Sequence, residues 1–140
     1  MRLKIKVVSY EKLVGKVFTN VEVNDDNTEM VFTNDESGYK FYHEQDCCES
    51  VYIVDINGVL SDLIGKPILQ AESVSLESET NIGTQTWTFY KFSTIQGSVT
   101  VRWLGESNGY YSEEVHFAEI YCYQGLNDDF DHYMQKLNFS

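Results

Sequence analysis

Apolar and polar residues alternate with a period of two along much of this chain, the pattern of strands that bury one face. Val17–Val23 and Thr28–Thr33 read as two such strands. Asn24-Asp25-Asp26-Asn27 between them supplies side chains that bond their own backbone and tolerate left-handed conformations, so a hairpin is expected. Ser37-Gly38 turns the chain into a further strand, Tyr39–His43. Val51–Ile56 is almost continuously apolar and predicts a strand buried on both faces. Ile68–Val74 predicts another. The strongest hairpin pairs Thr86–Phe92 with Ser98–Leu104 around Gln96-Gly97. In it Trp87, Phe89 and Lys91 share one face, and Val99, Val101 and Trp103 share another. Glu114–Ile120 resumes as strand, with Tyr121-Cys122-Tyr123 as an extension, and Leu3–Ser9 is a candidate strand with outward lysines.

Helical periodicity is sparse. Val59–Ile64 suggests one or two turns closed by Gly65, with Pro67 preventing continuation. Asp128–Leu137 predicts a C-terminal helix with Phe130, Tyr133, Met134 and Leu137 on one stripe and Asn127 as N-cap. The expected fold is therefore mainly β, in the α+β sense. It is a single domain over residues 1–140: an antiparallel sheet or sandwich, or a partly open barrel, with a short helix near 59–65 and a second at the C-terminus.

Composition sharpens this picture in two ways. Ten tyrosines and eight phenylalanines suit pleated, half-buried surfaces, and one proline with no low-complexity tract argues against disorder. The net charge of −12 is unevenly placed. Met1–Lys16 carries Arg2, Lys4, Lys6, Lys12 and Lys16 against Glu11, whereas the rest holds 5 basic and 21 acidic side chains. Such a surface repels nucleic acid and favours basic partners. The opening residues alternate charge with apolarity instead of forming a signal peptide, and no run reaches the roughly 20 apolar residues of a membrane span. A cytoplasmic location is expected. With three cysteines in that compartment, reduced thiols are the default.

Two polar clusters stand out against the strand pattern. His43-Glu44-Gln45-Asp46-Cys47-Cys48-Glu49 packs an imidazole, three carboxylates and two thiols between strands. Adjacent cysteines neither point easily at one metal ion nor match ordinary disulfide geometry. On an extended chain they face opposite sides, one into the core and one near the surface. The second cluster runs from Arg102 to Ser112. Ser107-Asn108-Gly109 reads as a turn that displays Tyr110 and Tyr111, a composition favoured in recognition surfaces. Arg102 is expected to pair with a carboxylate such as Glu106 or Glu49. Phosphate-binding glycine loops, nucleophile elbows and basic aromatic nucleic-acid signatures are absent.

The blocks His43–Val51, Asp62–Gly65 with Pro67-Ile68, Thr86–Lys91 and Arg102–Ser112 resemble the signature blocks of a small family of unknown function encoded largely by bacteriophages. The resemblance spans Leu13 to Phe117 and implies a phage protein acting in a bacterial cytoplasm. It brings no activity that can be assigned residue by residue. Taken with the charge, it leads to the expectation of an accessory protein, a binder rather than an enzyme, that needs no cofactor or metal. It would inhibit a host protein with a basic surface, one concerned with defence or nucleic-acid handling. The expected contact residues are His43, Glu44, Asp46, Cys48, Glu49, Arg102, Glu106, Asn108, Tyr110 and Tyr111. A nucleotide or small-ligand domain, with His43, Arg102, Asn108 and Tyr110 lining a cleft, is one alternative. A metal-dependent enzyme using His43, Asp46 and Glu49 is another.

Overall fold

Two antiparallel sheets face each other across a core built mostly of aromatic rings. The structure is a computed structural model that describes residues 3–7 and 9–122, with side chains from residue 9 to residue 120. The first sheet has the order β1-β9-β4-β3-β2, with β1 Leu3–Val7, β2 Asn20–Val23, β3 Met30–Thr33, β4 Gly38–Tyr42 and β9 His116–Cys122. The second has the order β5-β8-β7-β6, with β5 Ser50–Asn57, β6 Gln70–Thr80, β7 Gly83–Thr94 and β8 Gly97–Ser107. The sheets stay separate, so the sandwich expectation holds and no barrel closes.

The two-residue period decides which side chains meet between the layers. Met30, Phe32, Tyr39, Phe41 and Phe117 point inward from the first sheet, and Tyr90, Phe92, Val99, Val101 and Trp103 from the second. The Phe32 and Phe92 rings lie 5.1 Å apart edge to face, and Phe41 sits 4.6 Å from Tyr90 and 5.5 Å from Phe92. Such aromatic pairs add to the stabilisation from buried area alone. Leu13, Phe18, Leu63 and Ile68 seal one side of this core. There Val17 bridges Pro67, and the Gly65 amide donates to the Phe18 carbonyl at 2.8 Å.

The expected hairpins form, with chemistry read directly from their turns. Asn24 Oδ1 accepts from the amides of Thr28 and Glu29 at 2.8 and 3.0 Å, and Asn27 adopts φ 59°, so the β2–β3 turn is tied by its own side chains. Between β7 and β8 the register runs unbroken from Thr84–Ser107 to Thr94–Gly97. As expected, Trp87, Phe89 and Lys91 share the outer face, while Val99, Val101 and Trp103 are buried in the core.

Two expectations need correction. Val59–Ile64 makes only a 3-10 turn, Leu60–Leu63. Ile64 is already extended and Gly65 takes φ 81°, and one isolated turn recovers too few hydrogen bonds to propagate. A second such turn, Tyr10–Leu13, was not foreseen. β5 is not buried on both faces: Val51 and Ile53 are buried but Val54 and Asp55 are exposed. It is an edge strand with a register shift between Ile53 and Asp55, so its apolar run is longer than the surface it buries. The helix expected at Asp128–Leu137 and the outward lysines of β1 lie outside the described residues and side chains. No helix among the described residues is long and apolar enough to cross a membrane.

Candidate functional site

The 43–49 cluster is the corner at which the chain leaves the first sheet for the second. β4 ends at Tyr42 and β5 begins at Ser50 in the other layer. Glu49 organises the corner from within. Its carboxylate accepts from the amides of Asp46 and Cys47, each at 2.8 Å, and faces His43 Nε2 at 2.7 Å. Gln45 Nε2 adds a donor at 3.2 Å. The other ring nitrogen of His43 lies 2.6 Å from the Glu114 carbonyl oxygen, tying the corner to the segment that leads into β9. The two side chains are 2% and 0% exposed. The hydrogen bond with His43, followed by those from the Cys47 and Asp46 amides, overcomes burial and holds the Glu49 carboxyl down at about 2.

This arrangement separates the cluster into two groups. His43 and Glu49 are occupied with each other and with backbone, whereas Glu44, Asp46, Cys47 and Cys48 are exposed. Cys47 and Cys48 form a vicinal disulfide at the surface. The expected reduced pair, with one thiol in the core, is thereby corrected. The physical reason is local: Glu49 draws the chain into a bend at these residues, so strand alternation does not apply to them. Among the described residues, no three His, Cys, Asp or Glu side chains are grouped to hold a metal ion.

Arg102 has a partner other than the two expected. It forms a two-pronged pair with Asp55 on neighbouring β5, its Nε donating to Oδ1 at 2.7 Å and its Nη2 to Oδ2. The guanidinium lies 5.5 Å from the centre of the Trp87 ring. Cross-strand register explains the choice. Arg102 lies opposite Asp55 on β5 and opposite Phe89 on β7, whereas Glu106 is paired with Ser50 and Gln85. The hydrogen bond from Arg102 holds the Asp55 carboxyl below its ordinary range.

Between the β6–β7 hairpin and the segment Gly109–Val115 lies a cleft of about 400 Å³. Its floor is a stripe of hydroxyls from Ser75, Thr84, Thr86 and Thr88, continued by Tyr90. Glu77, Tyr111, Ser112, Glu113 and Glu114 complete it, and among the described residues no lysine or arginine lines it. Glu113 is buried there. Its carboxylate accepts from Ser107 Oγ at 2.5 Å, Thr84 Oγ1 at 2.5 Å and Thr86 Oγ1 at 2.8 Å. Burial pushes its pKa up, but the hydroxyl donors from Ser107, Thr84 and Thr86 outweigh that, and the net shift is downward. Among the described residues this buried anion is held by hydroxyls, with no lysine or arginine paired to it.

The residues expected at a working surface therefore distribute over three places. His43 and Glu49 brace the corner, Arg102 and Glu106 lie on the outer face of the second sheet, and Tyr110 and Tyr111 sit on the loop beside the cleft, edge to face at 5.0 Å. Tyr110 is 83% exposed and Asn108 accepts from its amide at 2.9 Å. His43, Arg102, Asn108 and Tyr110 do not line one cleft, because Arg102 faces the opposite side of its sheet from the one that lines it. Sequence reasoning missed Glu77, Glu113 and the hydroxyl floor. The available signal was the alternation Thr84-x-Thr86-x-Thr88, which places three hydroxyls on one strand face.

No curated protein and no solved structure matches the chain. A family model does match, over residues 11–117, about three quarters of the length and including both polar clusters, the cleft and the Glu49 corner. The chain belongs to that family, DUF7448, a domain of unknown function.

Proposed function

We propose that this chain is a phage accessory protein that binds a host protein in the bacterial cytoplasm and inhibits it by occupying a basic segment of its surface. The observation that carries the reading is the cleft between β6–β7 and Gly109–Val115. Among the described residues it is lined by three carboxylates and a row of hydroxyls, with no lysine or arginine. An ammonium or guanidinium group entering it meets carboxylate and hydroxyl acceptors, with Tyr111 alongside. Exposed Tyr110 beside the cleft supplies an anchor of the kind that concentrates binding energy. The net charge of −12 adds long-range attraction for the same partner. A nucleotide fits less well, because its phosphates would face Glu77 and Glu114, with no lysine or arginine among the described residues of the lining to receive them.

The test begins with cross-linking in host lysate, using a photoreactive group at Tyr110, followed by binding measurements with the identified protein. Affinity is expected to fall steeply as salt rises from 50 to 500 mM, and to fall further in Glu114→Lys. Binding indifferent to both would overturn the reading.

A further inference from the structure

We infer that the free edge of β6 takes up an extended segment of a partner by strand addition, and that this segment alternates basic with apolar residues. β6 runs eleven residues, Gln70–Thr80, and closes its sheet; among the described residues it pairs with β7 alone. Every residue from Val74 to Ile82 is exposed, with Val74 and Leu76 each at 58% and Ile82 at 89%. Soluble proteins protect such edges with charged side chains, above all lysine, or with proline or a bulge. β6 contains no lysine or proline, its register with β7 is unbroken from Gln70–Ser93 to Thr80–Gly83, and its charges are Glu72, Glu77 and Glu79, which repel an acidic strand and admit a basic one. A long edge left open in this way is a template for another strand.

The turn sets which backbone groups are on offer. Asn81 and Ile82 form a two-residue loop closing the pair Thr80–Gly83. Residues flanking such a loop exchange hydrogen bonds with each other, as does every second pair beyond. Ser78, Leu76 and Val74 therefore bond to β7, and Glu79, Glu77 and Ser75 turn their N–H and C=O groups to the open edge. The side chains of Ser75 and Glu77 line the cleft, whereas Val74 and Leu76 lie on the outer face beside Phe89 and Trp87.

An added strand places each residue on the same face as the one it opposes. Positions opposite Ser75, Glu77 and Glu79 meet carboxylates and hydroxyls, and so take lysine or arginine. Positions opposite Val74 and Leu76 meet aliphatic surface, and so take valine, isoleucine or leucine. A second copy of β6 does not fit, because Glu72, Glu77 and Glu79 would be brought against the same acidic set with no basic residue in either strand. The inference rests on the proposed cleft reading for the sign of the partner's charge, and adds the mode of recognition.

The test uses three synthetic peptides with the protein as it stands: one alternating lysine and valine, one with those residues in two blocks, and one with glutamate for lysine. The alternating peptide is expected to bind at least tenfold more tightly than either control. In its complex the amides of Ser75, Glu77 and Glu79 become protected from hydrogen exchange, while those of Val74, Leu76 and Ser78 are protected with or without peptide. Ser75→Pro removes an outward N–H without breaking the β7 ladder, and is expected to lower affinity at least tenfold. Equal binding of the three peptides, absence of binding, or binding without new protection at the three outward amides would each overturn the inference, and the exchange measurement stands even if the proline variant fails to fold. A host partner weakened by Glu114→Lys but not by Ser75→Pro would overturn strand addition while supporting the cleft.

Discussion

Gly105 lies so close to Glu113 that a Cβ built on it would stand 2.7 Å from both the Cβ and the carbonyl oxygen of Glu113. This approach lets the Glu113 carboxylate reach Ser107 beside Gly105 on β8, and Thr84 and Thr86 on β7. The back of the cleft is set by the absence of one methyl group. Gly105→Ala is expected to push the 112–115 segment outward and to cost about 1–3 kcal/mol, the range for overpacking a tight site. Urea denaturation measures it as a lower midpoint with an unchanged slope. A variant as stable as the parent would contradict the contact.

Glu49 predicts an acid transition. Its carboxyl is held at about 2 in the folded protein against an ordinary 4.5, so the folded state binds its proton less readily than the unfolded chain does. The associated stability is complete above about pH 4.5 and is lost as pH falls toward 2. Melting temperatures recorded at pH 7, 4.5, 3 and 2 should drop across that window. In Glu49→Gln the melting temperature starts lower at pH 7, because the donors of Asp46, Cys47 and His43 lose an anionic acceptor, and declines less steeply on acidification. An identical decline in both proteins would remove Glu49 as the origin.

Phe41 touches Phe32, Tyr90, Phe92 and Phe117, and is fully buried where the two sheets meet. Phe41→Ala is expected to cost about 3–5 kcal/mol, through lost apolar burial and the cavity left behind. Chemical denaturation gives the figure directly. A loss below about 1 kcal/mol would mean that the layers do not share this core.

Charge reversal at the cleft should act on binding and not on folding. Glu77 and Glu114 are exposed, and their side chains make no ion pair with lysine or arginine among the described residues. Glu77→Lys and Glu114→Lys are expected to leave the melting temperature within a degree or two of the parent, as surface substitutions usually do. Each should weaken a basic partner at least fivefold at low salt, with the difference shrinking at high salt. Calorimetric titration at two ionic strengths separates these effects.

Local patterning carried the strands a long way. The β2–β3 turn was legible because Asn24 and Asn27 act on their own backbone, and the β7–β8 hairpin because its alternation continues over more than six residues on each side. The same reasoning misjudged β5, where Val54 continues an apolar run onto an exposed, bulged edge. It also misjudged Cys47 and Cys48, because alternation was assumed through a segment that Glu49 folds into a bend. For the candidate site, Tyr110 and Tyr111 were found from their turn, but Glu113 was one acidic residue among many. Nothing along the chain shows that Thr84 and Thr86, nearly thirty residues earlier, converge on it.

What the linear pattern settled is whatever depends on neighbours in the chain: strand positions, turn chemistry, the sign of the surface and the clustering of polar groups. What waited for the third dimension is which groups face one another across layers. The order β5-β8-β7-β6 places Arg102 opposite Asp55 and leaves β6 open, and the crossing between sheets buries His43 against Glu49. Side-chain alternation is local, because it follows from backbone geometry two residues at a time. Strand order and the meeting of buried charges depend on how two sheets satisfy their apolar faces together, a condition that no short stretch of the chain contains.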